Sequence, residues 1–391
     1  MKRLKLAVAA LSLSAAAVTT AVAQPAEPVS GMRWVIDAAT SDEFEAPKFD
    51  SNKWYNSDSK SWKGRFPGLF MPESMSQSNG KLHITCDKFA KPVEYKGQQW
   101  THRGGHIYSK AELNVGAYAE CSMKANKTFM SSTFWLITGK SDRTECDRRT
   151  TELDIQECIG FPENHKKTTQ MGSNTHSRGI AKGCDVPEGS KGDHCEVSGK
   201  VYDNFHTYAA WWKSPKEILF YLDGEYKYTV NPVADFNLPM AVKMVCETYN
   251  WSKPPQDGGM TGTREERTTS YEWVRCYNSI PVGRKQGAAN EAANSIFEES
   301  VKFASDGAKT LSSDAPQLGV VYSSAKGGAM TMQLKDSKGK SIATGKAKLY
   351  PGLGNVPVKV KGGTLTAGTY TATVKFGSEK HTESFEVGKA E

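Results

Sequence analysis

Three carboxylates fall within six residues of one stretch: Glu152, Asp154 and Glu157 in TTELDIQECIG, Thr150 to Gly160. Leu153 and Ile155 alternate with Glu152 and Asp154, the period of two that sends an apolar pair into a core and an acidic pair onto the other face of a strand. Glu157 breaks that parity. A β-bulge at Ile155 or Gln156 would insert one extra residue and return Glu157 to the acidic face. Two glutamates on one concave sheet face suit glycoside hydrolysis with retention, in which one carboxylate attacks the anomeric carbon and a second, kept protonated, donates to the leaving oxygen. Asp154 between them can hold a proton or a hydrogen bond that separates their titrations. Sheet curvature and side-chain lean have to bring the glutamates to the about 5–5.5 Å that retention needs. On spacing alone, an acidic, solvated edge-strand face fits these residues equally well.

The surrounding residues narrow the choice. The segment SSTFWLITG, Ser131 to Gly139, followed by ELDIQE resembles glycoside hydrolase family 16 in its bulged E-x-D-x-x-E form. The resemblance runs from about Trp34 to Tyr277 and is closest to the branch acting on red-algal galactans, the β-agarases and β-porphyranases. It implies a jelly-roll β-sandwich with a substrate cleft across its concave sheet. It also implies Glu152 as nucleophile, Asp154 as its electrostatic helper, Glu157 as general acid/base and Trp135 on the cleft floor. A structural calcium on the convex face is possible by family habit, but no ligand cluster stands out, and no other cofactor is expected.

The elements that must position these groups are short. Lys81 to Cys86, His106 to Lys110, Ala117 to Ala125, Ser132 to Thr138 and Glu152 to Cys158 read as strands separated by turn residues, which predicts an antiparallel sandwich. Trp54, Tyr55, Trp62 and Arg65 cluster in a segment rich in Gly, Pro and Ser, read as a loop reaching the cleft. Trp62 is expected to stack on a sugar ring and Arg65 to fork onto a sulfate or a hydroxyl pair, with Trp54 the better candidate for a core residue. Asn174 and His176 share parity on MGSNTHS and could contact the sugar beside the scissile bond. Glu247 and Trp251, in MVCETYNW, match positions where agarases of the family hold a hydroxyl and stack a ring. Arg148 and Arg149 could reach a substrate sulfate or pair with nearby Asp and Glu in solvent. Trp211 and Trp212 are expected on opposite faces of a core hairpin that turns at Ser214-Pro215, its second strand ending in an Asp223-Gly224 turn.

Met1 to Ala23 has the basic start, apolar run and Ala21-Val22-Ala23 ending of a secretory leader, which predicts cleavage after Ala23 and an extracellular or periplasmic protein. The remaining length predicts two units: a catalytic domain over 24–279, then a linker at 280–294 rich in small and polar residues, then an immunoglobulin-like sandwich over 295–391. Net charge is +7 with dispersed Lys and Arg, so no nucleic-acid face is indicated, and no second apolar run is long enough to span a membrane. All eight cysteines precede residue 280. Spacing favours Cys184 with Cys195, and without a C-x-x-C pair a zinc site is not expected. The combined expectation is a monomeric, secreted endo-β-agarase that cleaves β-1,4 links of agarose with retention. The alternative is a β-porphyranase in which Arg65, with Arg148 or Arg149, accepts a 6-sulfate. A non-catalytic galactan lectin is a weaker third reading.

Overall fold

The computed structural model describes residues 24–57, 62–139, 145–249, 257–305, 310–311, 313, 316–361 and 364–388. The leader expected at 1–23 and the expected sugar platform Trp251 lie outside them. Among the described residues no helix is long and apolar enough to cross a membrane.

The alternating segments form a jelly-roll β-sandwich of two stacked sheets. One sheet carries the acidic strand and is called the cleft sheet. Its order is Gly189–Glu196, Gln170–Arg178, Thr150–Ile159, Ser131–Thr138, Met240–Cys246, Gln98–Leu113, Gly68–Phe70 and Gly64–Arg65. The back sheet runs through Glu225–Val230, Glu217–Leu222, His206–Ser214, Tyr118–Lys124 and Thr268–Pro281 to Met32–Ile36. Between the two lie Phe134, Leu136, Leu153, Ile155, Tyr208, Trp212, Phe220, Met244 and Tyr271, nearly all inward members of period-two strands. The Asp223-Gly224 turn has both residues at positive φ, 53° and 81°, as a two-residue hairpin twisted like its strands requires.

The bulge is present, at Ile155. Phe134 faces Gln156 and Trp135 faces Asp154, so Ile155 has no partner across the ladder. On the other side the regular ladder to Gln170–Arg178 stops at Asp154. Side-chain bonds replace it: the Gln156 amide donates to the Gln170 carbonyl (3.2 Å) and accepts from Gly172 N (2.9 Å), and Ser173 Oγ donates to the Ile155 carbonyl (2.7 Å). Gln156 is therefore the residue that makes a bulge tolerable in a buried strand, by satisfying backbone groups that the bulge orphans.

Residues 280–294 do not behave as a tether. The strand Thr268–Pro281 runs into this segment, a short helix follows at Ala288–Ala293, and Asn294 is fully buried. Its Oδ1 accepts from Ile36 N and Asn290 Oδ1 accepts from Ala38 N, each at 3.0 Å, so the small polar residues serve as hydrogen-bonding caps on the strand Met32–Ile36 and its exit. That strand pairs with Thr268–Pro281 on one side and Gly352–Lys359 on the other, so the back sheet continues into the C-terminal sandwich. The C-terminal unit completes itself with a five-stranded sheet and its own core around Val320, Tyr322, Met330 and Val374. Trp211 and Trp212 do face opposite ways: Trp212 enters the main core and Trp211 packs edge-on to Trp34, 5.4 Å between centroids, in the seam with Tyr118, Tyr277, Phe297 and Leu353.

The expected Cys184–Cys195 pair is not formed. Cys184 bonds to Cys146, and Cys195, fixed opposite Met171 on Gly189–Glu196, packs against the main core. Strand placement, which linear spacing does not report, turns Cys195 away from the loop that holds Cys184.

Candidate active site

One line of side chains crosses the cleft sheet. Strand register places Asn174 beside Asp154, Asp154 beside Trp135, Trp135 beside Lys243, Lys243 beside Tyr108 and Tyr108 beside Tyr55. All six line a single cleft of about 1330 Å³. Glu152 and Glu157 flank the line from the same strand, and His176 stands across from Glu152. The bulge does what the acidic spacing requires, because without it the period of two would turn Glu157 toward the core.

Each carboxylate has a different neighbour. Arg178 Nη2 donates to Glu152 Oε2 at 2.5 Å. His176 Nε2 lies 3.2 Å from Asp154 Oδ2 and 4.0 Å from Glu152 Oε1, while its Nδ1 meets Ser190 Oγ at 2.6 Å. Burial, with repulsion from Glu152 and Glu157, pushes Asp154 up to about 7 against the pull of His176, and the Asp154 hydrogen bond raises His176 in turn. Glu157 goes the other way. Burial opposes its ionisation, but the Lys167 ammonium 2.6 Å from Oε2 and the Tyr249 hydroxyl donating to Oε1 at 2.7 Å outweigh it, holding the carboxyl below its ordinary value. With Lys167 in place, the proton shared within this cluster is favoured on Asp154 over Glu157.

The far wall is an ion pair in an aromatic setting. Arg65 Nε donates to Glu247 Oε2 at 3.0 Å, and burial raises Glu247 to about 7 despite that cation. Trp62 packs edge-on against Phe70 and Trp135 and lines the cleft. Trp62, Arg65, Trp135, Asn174, His176 and Glu247 thus line the same cleft as the three acidic residues. Trp54 is a core residue, its indole donating to Asp42 Oδ2 at 2.9 Å. Arg149 is not available to a substrate: it is buried, bonded to Asp147 Oδ1 (3.0 Å), Asn237 Oδ1 (2.7 Å) and the Asp235 carbonyl (3.1 Å). Arg148 is not among the cleft-lining residues.

Among the lining residues missed in the sequence are Tyr108, Lys167, Arg178, Lys243 and Tyr249. Parity could have found three of them. Arg178 continues the 174–176 series, and Lys243 and Tyr249 share the parity of Glu247; a lone lysine inside MAVKMVC is itself a signal. Lys167 sits on the turn Lys166–Thr168 and leaves no periodic trace. One group among the described residues, Glu152, Asp154 and His176, has ligand atoms close enough together for a metal ion, and these are the same atoms that form the acidic row.

Comparison with known proteins places this geometry in context. Residues 34–279 match the family described as β-porphyranase A–D, GH16 domain. β-Porphyranase B of Zobellia galactanivorans is 48% identical over 252 residues, 63% of this chain and 85% of that protein. The crystal structure of porphyranase B from that organism superposes with a TM-score of 0.62 at 46% identity, covering 66% of this chain and 98% of that one. β-Porphyranase D of the same organism is 29% identical over 359 residues, 85% of this chain and 81% of that protein, a span too long to be confined to 34–279. β-Agarase AgaA of Microbulbifer thermotolerans is 27% identical over 287 residues, 66% of this chain and 62% of that protein. The bulged acidic strand and the extent of these matches together make the chain a member of glycoside hydrolase family 16, within the β-porphyranase A–D domain family.

Proposed function

We propose that this protein is a β-porphyranase, an endo-acting retaining hydrolase of sulfated red-algal galactan. What carries the reading is the 48% identity along 85% of a β-porphyranase, against 27% for the agarase. The agarose preference expected from the sequence gives way on that comparison. The cleft lining is of mixed charge, with Arg65, Lys110, Lys167, Arg178 and Lys243 beside Glu112, Glu152, Asp154, Glu157 and Glu247.

In the proposed reaction Glu152 attacks the anomeric carbon as the bond to the glycosidic oxygen breaks, and Glu157 passes its proton to that oxygen. The resulting galactosyl ester is cleaved by water: Glu157 takes the water proton, the hydroxyl bonds to carbon, and Glu152 leaves as a carboxylate. Asp154, hydrogen-bonded to His176, limits charge accumulation beside the nucleophile. Glu157 has to be protonated for the first step. Lys167 lies on a turn and not on a sheet strand, so its ammonium can leave the carboxylate without disturbing the sandwich, and burial then favours the protonated form.

The test is reducing-end release by the full chain on porphyran and on agarose, with Glu157→Gln as control. Porphyran cleavage, lowered roughly 10²–10⁴-fold in the variant, is the expected outcome. Cleavage of agarose alone would restore the agarase reading, and unchanged activity in Glu157→Gln would remove that residue from the chemistry.

A further inference from the structure

The cleft pairs most of its cations internally. Arg65 is held by Glu247, Lys167 by Glu157 and Arg178 by Glu152. Lys110 lies 4.8 Å from the Tyr55 ring centroid with its side chain in solvent, where water serves its ammonium. Lys243 is different. Its Nζ sits 4.9 Å from the Trp135 ring, 5.2 Å from Tyr108 and 5.3 Å from Trp62, and among the described residues it makes no hydrogen bond and no ion pair. Glu152 and Glu247 act on it only at longer range.

Three aromatic faces stabilise a cation but accept none of its hydrogen bonds in the way an oxygen does. A partly buried ammonium with three donors and no protein acceptor among the described residues is therefore free to take one from a bound group. The register puts Lys243 two strands from Asp154 on the line that crosses the cleft, roughly 10 Å away at the usual strand spacing. A group it meets belongs to a sugar beside the scissile bond and not to the bond itself. The ring faces around it also alter the expected role of Trp135, whose surface serves the lysine as well as a sugar.

We propose that Lys243 is a specificity-determining residue that receives a sulfate ester of the bound galactan from the cleft floor, in an aromatic cage formed by Trp62, Trp135 and Tyr108. The proposal rests on the β-porphyranase reading for its substrate class. It differs from the expectation for Arg65, which is already engaged by Glu247. Sulfate oxygens supply the acceptors that the cage lacks, and a neutral galactan leaves the ammonium with hydroxyls at best.

The experiment compares the full-length protein with Lys243→Met, which fits among aromatic rings without a charge, and with Lys243→Arg. Rates are measured on porphyran and on chemically desulfated porphyran. The ratio of kcat/KM for sulfated over desulfated polymer should fall about 10–100-fold in Lys243→Met, the scale of one charge-assisted hydrogen bond, chiefly through KM, and should recover in part in Lys243→Arg. A second arm measures calorimetric binding of sulfated and desulfated oligosaccharides to Glu152→Gln with and without Lys243→Met. Loss of the sulfate preference only in the double variant supports the proposal. An unchanged ratio, or equal losses on both polymers and both ligands, overturns it. Should the wild type cleave neither polymer, the β-porphyranase reading fails, and the binding arm still decides the role of the lysine. If Lys243→Met does not fold, Lys243→Gln takes its place in both arms.

Discussion

Replacing Glu247 by Gln isolates one buried titration with a cost that can be worked from the structure. Burial is the largest cause of its rise to about 7 from an ordinary 4.5, with Glu157 and Glu152 adding repulsion and Arg65 opposing. An unfolded chain ionises this carboxyl near 4.5, whereas the folded one keeps the proton until about 7. Across that window the folded state binds more protons, so stability is fullest below the unfolded value, falls as pH rises, and levels off above the folded one. The full difference is on the order of 3 kcal/mol. Arg65 is 41% exposed and the pair is partly screened, so about 1–3 kcal/mol is the expected size. The amide in Glu247→Gln cannot ionise, and the variant should lose this slope. Calorimetric melting of both proteins at about pH 5 and about pH 8 reads the effect directly: the Tm of Glu247→Gln relative to wild type should rise between the two by about 2–8 °C. Melting curves that shift in parallel, with a constant gap, would refute the claim that this carboxyl is buried with an unbalanced charge.

Two other outcomes follow from the same geometry. Lys167→Met removes the cation that favours ionised Glu157, so the alkaline limb of the kcat/KM profile should move upward, since a general acid works only while protonated; an unmoved limb in a variant of unchanged Tm would separate Glu157 from the proton donor. Arg149→Met should cost about 1–3 kcal/mol by orphaning Asn237 and the Asp235 carbonyl, while the preference between sulfated and desulfated polymer stays at the wild-type value in a rate assay.

Much of the site was legible because a strand writes its faces into the sequence with period two. Glu152 and Asp154, then Asn174 and His176, could be assigned to one face from parity, and the parity violation at Glu157 announced a bulge. The pattern is compatible with a bulge at either Ile155 or Gln156. The ladder decides for Ile155, and Gln156 spans the gap with its amide. The 280–294 segment misled for a related reason. Gly, Ala and Asn describe a flexible tether in isolation, yet Asn290 and Asn294 meet backbone donors about 250 residues earlier in the chain.

The sequence by itself determined the strand periodicity, the acidic triplet with its bulge, the hairpin at Asp223-Gly224 and the presence of a second β unit, since each depends on near neighbours and the two-residue period. Only the tertiary structure decided which charges pair. Arg149 is withdrawn into Asn237 and Asp147, Lys167 is brought to Glu157 from a turn, and Lys243 is set among three rings from three separate segments. Sheet register made those choices: it joins strands distant in sequence, and a charge is defined chemically by what lies across from it.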